Sequence, residues 1–155
     1  MASLETIKSY LEEYDIAVLE FEQETATAAT AAAAVGCSVA EIAKTLLFLI
    51  GGNAVAVVTC GDMKVKNSKL KKVFDLSGKV RLPEVEDVAK YTGYEPGGVC
   101  PFLLPEQLPV VLDTSLERFP VVYAAAGNCH SAVPVSVAQL QVLTGAGVAD
   151  ICDPA

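Results

Sequence analysis

The chain has 155 residues, 52% of them hydrophobic and 19% charged, and 11 Lys and Arg against 19 Asp and Glu give a formal net charge of −8. That length suits one domain, residues 1–155, able to bury about 70% of its unfolded surface, and the composition excludes a disordered chain. The acidic balance argues against a general nucleic-acid coat, no apolar stretch approaches the length of a membrane span, and five scattered cysteines without a CxxC pair support neither a zinc site nor a disulfide framework.

In chain order, MASLETIKSYLEEY is amphipathic and acidic and lacks the apolar block of a secretory signal, so reduced thiols and a cytoplasmic location are expected. Leu4, Ile7, Leu11 and Tyr14 recur at helical spacing and predict a helix ending near Asp15. Ile16, Val18 and Phe21 suggest a strand. Thr25–Val35 is Ala-rich and reads as a helix, closed by Gly36 as a left-handed cap. Ser38 with Glu41 reads as a capping box, with the serine oxygen accepting a backbone N–H and Glu41 reaching back to the cap. It opens a short helix to about Ala43, which hands over at Lys44 and Thr45 to the apolar run Leu46–Ile50. Gly51-Gly52-Asn53 is a hairpin turn, and Ala54–Cys60 returns as a second apolar strand, so Lys44–Cys60 is predicted to be a central hairpin buried on both faces.

Asn67 is expected to cap a helix through Phe74 that turns Leu70, Val73 and Phe74 inward and lysines outward. Lys79–Leu82 reads as a short strand, and Pro83 opens a helix through Tyr91 that Gly93 ends. Gly97–Pro101 is a loop, Pro109–Asp113 and Pro120–Ala125 are apolar strands, and 127–130 is a turn before a strand near Ala132–Val135. Ser136 caps a last helix, Val137–Leu143, and Val148–Ile151 closes the sheet. Hairpins mixed with helical crossovers predict an α/β (α+β) domain with one mixed, largely antiparallel, curved sheet surrounded by short helices.

Several residues carry chemistry alongside a plainer account. Lys44, at a helix-to-strand junction, either snorkels outward or finds polar partners, because an unpaired ammonium among apolar groups is costly. Seven of the eleven basic residues lie within Lys64–Arg81 (Lys64, Lys66, Lys69, Lys71, Lys72, Lys79 and Arg81), opposed there only by Asp75. Such a patch directs a polyanion to one face, or is a solvated helix side. Gly97-Gly98 and Pro101 form an ordinary turn or a loop whose backbone N–H groups approach a carbonyl. His130, the one histidine, is a surface turn residue or a proton carrier, and Asp113 is a strand-end turn carboxylate or a pocket group.

The order EIAKTLLF, VVTCGD, a Lys-rich helix, TGYEPGGVCPF, VVLD and AAAGNCHSAVPVS resembles the YbaK/prolyl-tRNA synthetase-associated editing domain family, from about Leu4 to Ile151. The resemblance implies a YbaK-like fold and a free-standing trans-editing hydrolase that cleaves the ester of a mischarged tRNA, with tRNA(Pro) the expected acceptor and no cofactor or metal. Lys44, Gly97, Gly98 and Pro101 would be catalytic, the last three as the family's GxxxP loop. Thr45, Gly127, Asn128 and His130 would contact substrate. Lys64, Lys66, Lys69, Lys71 and Lys72 would meet the acceptor stem. The implied partners are tRNA and a synthetase, with no membrane and no DNA, and the implied state is a monomer or weak homodimer. The GxxxP loop is expected to face Lys44 across one small pocket with the 127–130 turn on its rim, so that a side chain at Gly98 would block substrate. Where the family continues PFG or PxG after the proline, this chain has Leu103, so a differently shaped loop is expected there. Two other readings stay open: a non-catalytic adaptor for aminoacyl-tRNA or a nucleotide, and a hydrolase of another small acyl ester.

Overall fold

The computed structural model describes residues 3–155. The opening helix, α1 (Leu4–Glu12), is capped by the Ser3 side chain and buries Ile7 and Leu11. It stops before Tyr14, which lies past its end, 42% exposed, edge-on to Tyr10. Of the strand expected over 16–21 only β1 (Leu19–Glu20) forms. Helix α2 (Ala28–Val35) starts three residues later than the Ala-rich run suggests, because Thr27 and Thr30 cap each other reciprocally, and Gly36 closes it at φ +84°.

At Ser38 the expected box is half made. Glu41 Oε1 accepts the Ser38 backbone N–H at 3.1 Å, but the serine hydroxyl donates to the same oxygen at 2.9 Å rather than capping a backbone group. The helix it was expected to open is a single 3₁₀ turn, Val39–Glu41. Strand β2 (Ala43–Ile50) therefore begins before Lys44, which lies within the strand and not at a junction. Strand β3 (Asn53–Cys60) pairs with β2 through the full register from Ala43–Cys60 to Ile50–Asn53. Gly51 and Gly52, at φ +56° and +88°, supply the two left-handed positions a two-residue hairpin requires.

Three residues later comes β4 (Met63–Val65), then α3 (Asn67–Phe74), β5 (Val80–Arg81) and α4 (Val88–Thr92) behind a 3₁₀ turn. In α3, Leu70 is fully buried and Phe74 half-buried, whereas Val73 is 40% exposed. An eight-residue helix on one strand layer buries a narrow stripe, and 70 and 74 fill it. The second half supplies β6 (Val110–Asp113), a 3₁₀ turn over Thr114–Arg118, β7 (Val122–Ala124), β8 (Ser131–Val135), α5 (Val137–Thr144) and β9 (Gly147–Ala149). A last strand, β10 (Cys152–Pro154), pairs antiparallel with β4 and has no counterpart in the sequence reading, since Asp-Pro reads as a loop.

The strands form a mixed α/β domain, divided over three sheets. The largest runs β5-β2-β3-β6-β9, antiparallel across β5, β2 and β3 and parallel across β3, β6 and β9. The others are β1-β8-β7 and β10-β4, with a bridge from Ile42 to Tyr123 joining the first two sheets. Burial on both faces holds for β3: Val55 and Val57 pack with Leu70 and Ile151, while Val58 and Cys60 pack with Phe102 and Leu112. It fails for the first half of β2. There β5 covers only Leu49 and Ile50, so Lys44, Thr45 and Leu46 keep an unpaired edge and are half-buried.

Candidate active site

The unpaired edge of β2 faces β7 across a cavity of about 330 Å³. Its walls are Ile42–Leu46 on one side and Tyr123–Ala125 on the other, with Ser131 and Ala132 behind, Gly97 and Val99 over the mouth, and Thr25–Ala28 and Ala31 at the N-terminus of α2. Alanine is the commonest residue in this lining, so much of the wall ends at Cβ.

Polar groups in the wall are few and mostly committed. Thr25 Oγ1 donates to the Ser131 carbonyl and accepts the Ser131 N–H, both at 3.2 Å, and Ser131 Oγ accepts the Ala126 N–H at 3.0 Å. Thr27 Oγ1 accepts the Thr30 N–H, leaving the first amides of α2 without intrahelical partners at the positive end of its dipole. Thr45 Oγ1 is sealed from solvent and has no hydrogen-bond partner among the described residues. Lys44 is the one cationic side chain in the lining. Its Nζ donates to the Met63 carbonyl at 2.7 Å and touches no carboxylate among the described residues, so none of these neutralises its charge by direct contact. Lys44 and the first turn of α2 line the same cavity, and an ammonium and free helix-terminal amides are donors of the kind that can receive a carbonyl or a developing oxyanion.

The GxxxP loop divides. Gly97 lies in the pocket mouth at φ +87°, with Ala26 Cβ 3.3 Å from where its own Cβ would stand. Gly98 is buried behind it and corrects the expectation attached to it. Its N–H donates to the Glu95 carbonyl at 3.0 Å and so is not free for an ester oxygen. A Cβ added there would come 2.9 Å from Asn128 Cα and 3.0 Å from the Gly127 carbonyl, meeting backbone and not substrate. Pro101 is buried and faces a separate cavity with Tyr10 and Leu104. Leu103 takes φ +52°, the left-handed conformation in which glycine is unstrained, so the backbone keeps that turn despite the side chain.

The 127–130 turn does not line the pocket; it holds the pocket wall. Asn128 Oδ1 accepts the His130 N–H at 3.0 Å, and His130 Nδ1 lies 3.1 Å from the Gln23 carbonyl. The His130 carbonyl accepts Phe21 N–H and the Cys129 carbonyl accepts Thr25 N–H, so the turn fixes the segment that leads into α2. Gly127, at φ +91°, lies against the ring of Tyr94, whose hydroxyl donates to the Phe102 carbonyl. Burial pushes the Cys100 thiol up to about 11, which marks it as packing and not as a nucleophile. Asp113 is also buried away from the cavity, its carboxylate accepting Thr59 Oγ1 and the N–H groups of Ser115 and Ile151.

The basic segment is less free than its sequence suggests. Lys66 pairs with Asp153 at 3.4 Å, and Lys69 with Asp150 and Asp153 at 3.1 and 3.0 Å. Lys71 donates to the Gly78 carbonyl. Lys64 and Lys72 are exposed and make no ion pair among the described residues. The acids come from β10 and the residues before it, which sequence proximity could not reveal. The α2 N-terminus was also missed as a wall, although the Thr27–Thr30 pair before an alanine run was the available signal.

The sequence matches the aminoacyl-tRNA editing domain family over residues 22–143. An uncharacterized protein, YwhH of Bacillus subtilis, is 35% identical over 154 residues, 97% of each chain. The proline–tRNA ligase of Bacillus licheniformis is 32% identical over 96 residues, which make up 62% of this chain and 16% of that enzyme. A crystal structure of a candidate trans-editing enzyme for prolyl tRNA synthetase superposes with a TM-score of 0.85 at 31% identity, covering 99% of both chains.

Proposed function

Since this chain belongs to the aminoacyl-tRNA editing domain family, we propose that it is a trans-acting deacylase that hydrolyses the ester between an amino acid and the 3′-terminal ribose of a mischarged tRNA, with tRNA(Pro) as the acceptor. The observation that carries this reading is that Lys44, its ammonium held by a neutral carbonyl, lines a small cavity rich in alanine. An aminoacyl ester is already activated, so the protein needs chiefly to orient it and stabilise the charge that grows on the carbonyl oxygen. Lys44 and the first amides of α2 are the donors suited to that oxygen or to the neighbouring ribose. The attacking oxygen is that of water, oriented by the protein or by the neighbouring ribose hydroxyl; it adds to the carbonyl carbon and gives up its proton, and the ester C–O bond breaks as the ribose oxygen takes a proton, releasing the free amino acid.

Alanine walls favour a small aminoacyl side chain. Apolar contacts alone separate side chains differing by one methylene by about 10–200-fold, so exclusion of larger residues is the sharper filter. The test is a panel of tRNA(Pro) charged with alanine, serine, cysteine and proline, incubated with the purified protein. Release of a small non-cognate amino acid, with slower release of proline, is expected. No release from any member contradicts a deacylase and leaves a binding module.

A further inference from the structure

Lys44 bonds to a carbonyl although a carboxylate stands one residue away. Its acceptor is the main chain of Met63, and the preceding residue in the same turn is Asp62. The bond to the Met63 carbonyl has only one charged partner, whereas a carboxylate would add the attraction of opposite charges, so a free Asp62 would compete for the ammonium. Arg118 withholds it. Nη1 donates to Asp62 Oδ2 at 3.1 Å and Nη2 to Oδ1 at 2.7 Å, so one planar fork occupies both oxygens. The guanidinium is fixed in turn by Nε donating to the Ser115 carbonyl at 2.9 Å and by the Phe119 ring 5.1 Å away. The turn is anchored on its far side by β10, where Met63 pairs with Pro154 and the Asp62 carbonyl accepts the Ala155 N–H. Arg118 chiefly, and Lys44 to a smaller extent, hold the Asp62 carboxyl below the usual range, which puts both cations within electrostatic reach of it.

We propose that Arg118 is a positioning residue for the pocket: by occupying both oxygens of Asp62 it keeps that carboxylate from pairing with Lys44 and leaves the ammonium on the Met63 carbonyl with donors free for substrate. Arg118 and Asp62 are 43% and 39% exposed, so as a surface ion pair they would matter little to folding. The proposal rests on Lys44 being the substrate-facing cation, and it predicts an unusual pattern among variants. Removing the arginine is harmful because it releases the carboxylate; removing the carboxylate as well undoes the harm.

The experiment compares wild type, Arg118→Gln, Arg118→Lys and the double variant Asp62→Asn/Arg118→Gln in the full chain. Two rates are read: single-turnover deacylation of the mischarged tRNA that the wild type cleaves fastest, and acetylation of Lys44 by an N-hydroxysuccinimide ester, followed by peptide mass spectrometry. Thermal melting accompanies both. Arg118→Gln should lose about tenfold in deacylation and acetylate several-fold more slowly at Lys44. The double variant should recover both rates to within about threefold of wild type, and Arg118→Lys should lie between. A double variant as impaired as Arg118→Gln, or an Arg118→Gln indistinguishable from wild type, overturns the proposal. If the wild type cleaves no mischarged tRNA, the deacylase reading fails, while the acetylation pattern still decides what Arg118 does to Lys44.

Discussion

Gly98 separates two accounts of the same loop. Read from the sequence, a side chain there would obstruct substrate; in the fold it would strike the backbone of Gly127 and Asn128 instead. Gly98→Val is therefore expected to cost about 1–3 kcal/mol of stability, as overpacking does, which a denaturant titration measures. A variant with wild-type stability and no deacylation would return Gly98 to the reaction path. Individual carboxylates also set a pH response. Arg118 holds Asp62 below its ordinary range, and Lys69 does the same for Asp153. Groups depressed in the folded state add stability that is complete above the unfolded carboxylate pKa, about 4, and is lost as pH falls through the depressed values. Both pairs are solvent-exposed, so the effect is small. Melting temperatures between pH 7 and pH 2 should fall less steeply below about pH 4 in Asp62→Asn than in wild type, and equal slopes would contradict the pairing. Gly36, Gly93 and the Gly51-Gly52 turn were legible because left-handed backbone has so few sequence solutions. The role of Gly98 was not, since it depends on a loop thirty residues away.

Strand β2 shows what an element's pattern does and does not reveal. Two continuous apolar runs joined by Gly51-Gly52-Asn53 predicted the hairpin with β3, and its register follows from the two-residue turn. The cavity exists because β5 is two residues long and leaves the Lys44 end of β2 without a neighbour, a consequence of tertiary pairing that no local pattern encodes. Likewise α2 was legible as an alanine-rich helix, but that its first turn walls the cavity was not. The alanines matter in that wall because each extra carbon would fill it. Ala125→Leu is expected to lower deacylation about tenfold or more for the best small substrate, with little change in melting temperature. An unchanged rate would show that substrate does not enter between β2 and β7.

Across the whole molecule, charge is redistributed by folding. The basic run 64–81 faces acids that arrive from 150–153, so Lys66 and Lys69 are tied down while Lys64 and Lys72 remain open to a polyanion. If tRNA phosphates meet this face, Lys64→Gln with Lys72→Gln should flatten the slope of log affinity against log salt by roughly 1.5, from about 0.7–0.9 per lost contact. Substituting Lys69 should instead loosen the hold on β10, seen as faster amide exchange over 150–154. An unchanged salt slope for the double variant would mean the exposed lysines are only solvated. The account stands most directly on Lys44, and the deciding measurement is the single-turnover rate of deacylation for wild type and Lys44→Ala on the same mischarged tRNA(Pro), with melting temperature and tRNA affinity measured on the same samples. The account predicts a loss of at least about 100-fold in rate with near-unchanged affinity and melting, the signature of an interaction made chiefly in the transition state. A Lys44→Ala variant that deacylates at the wild-type rate would contradict it.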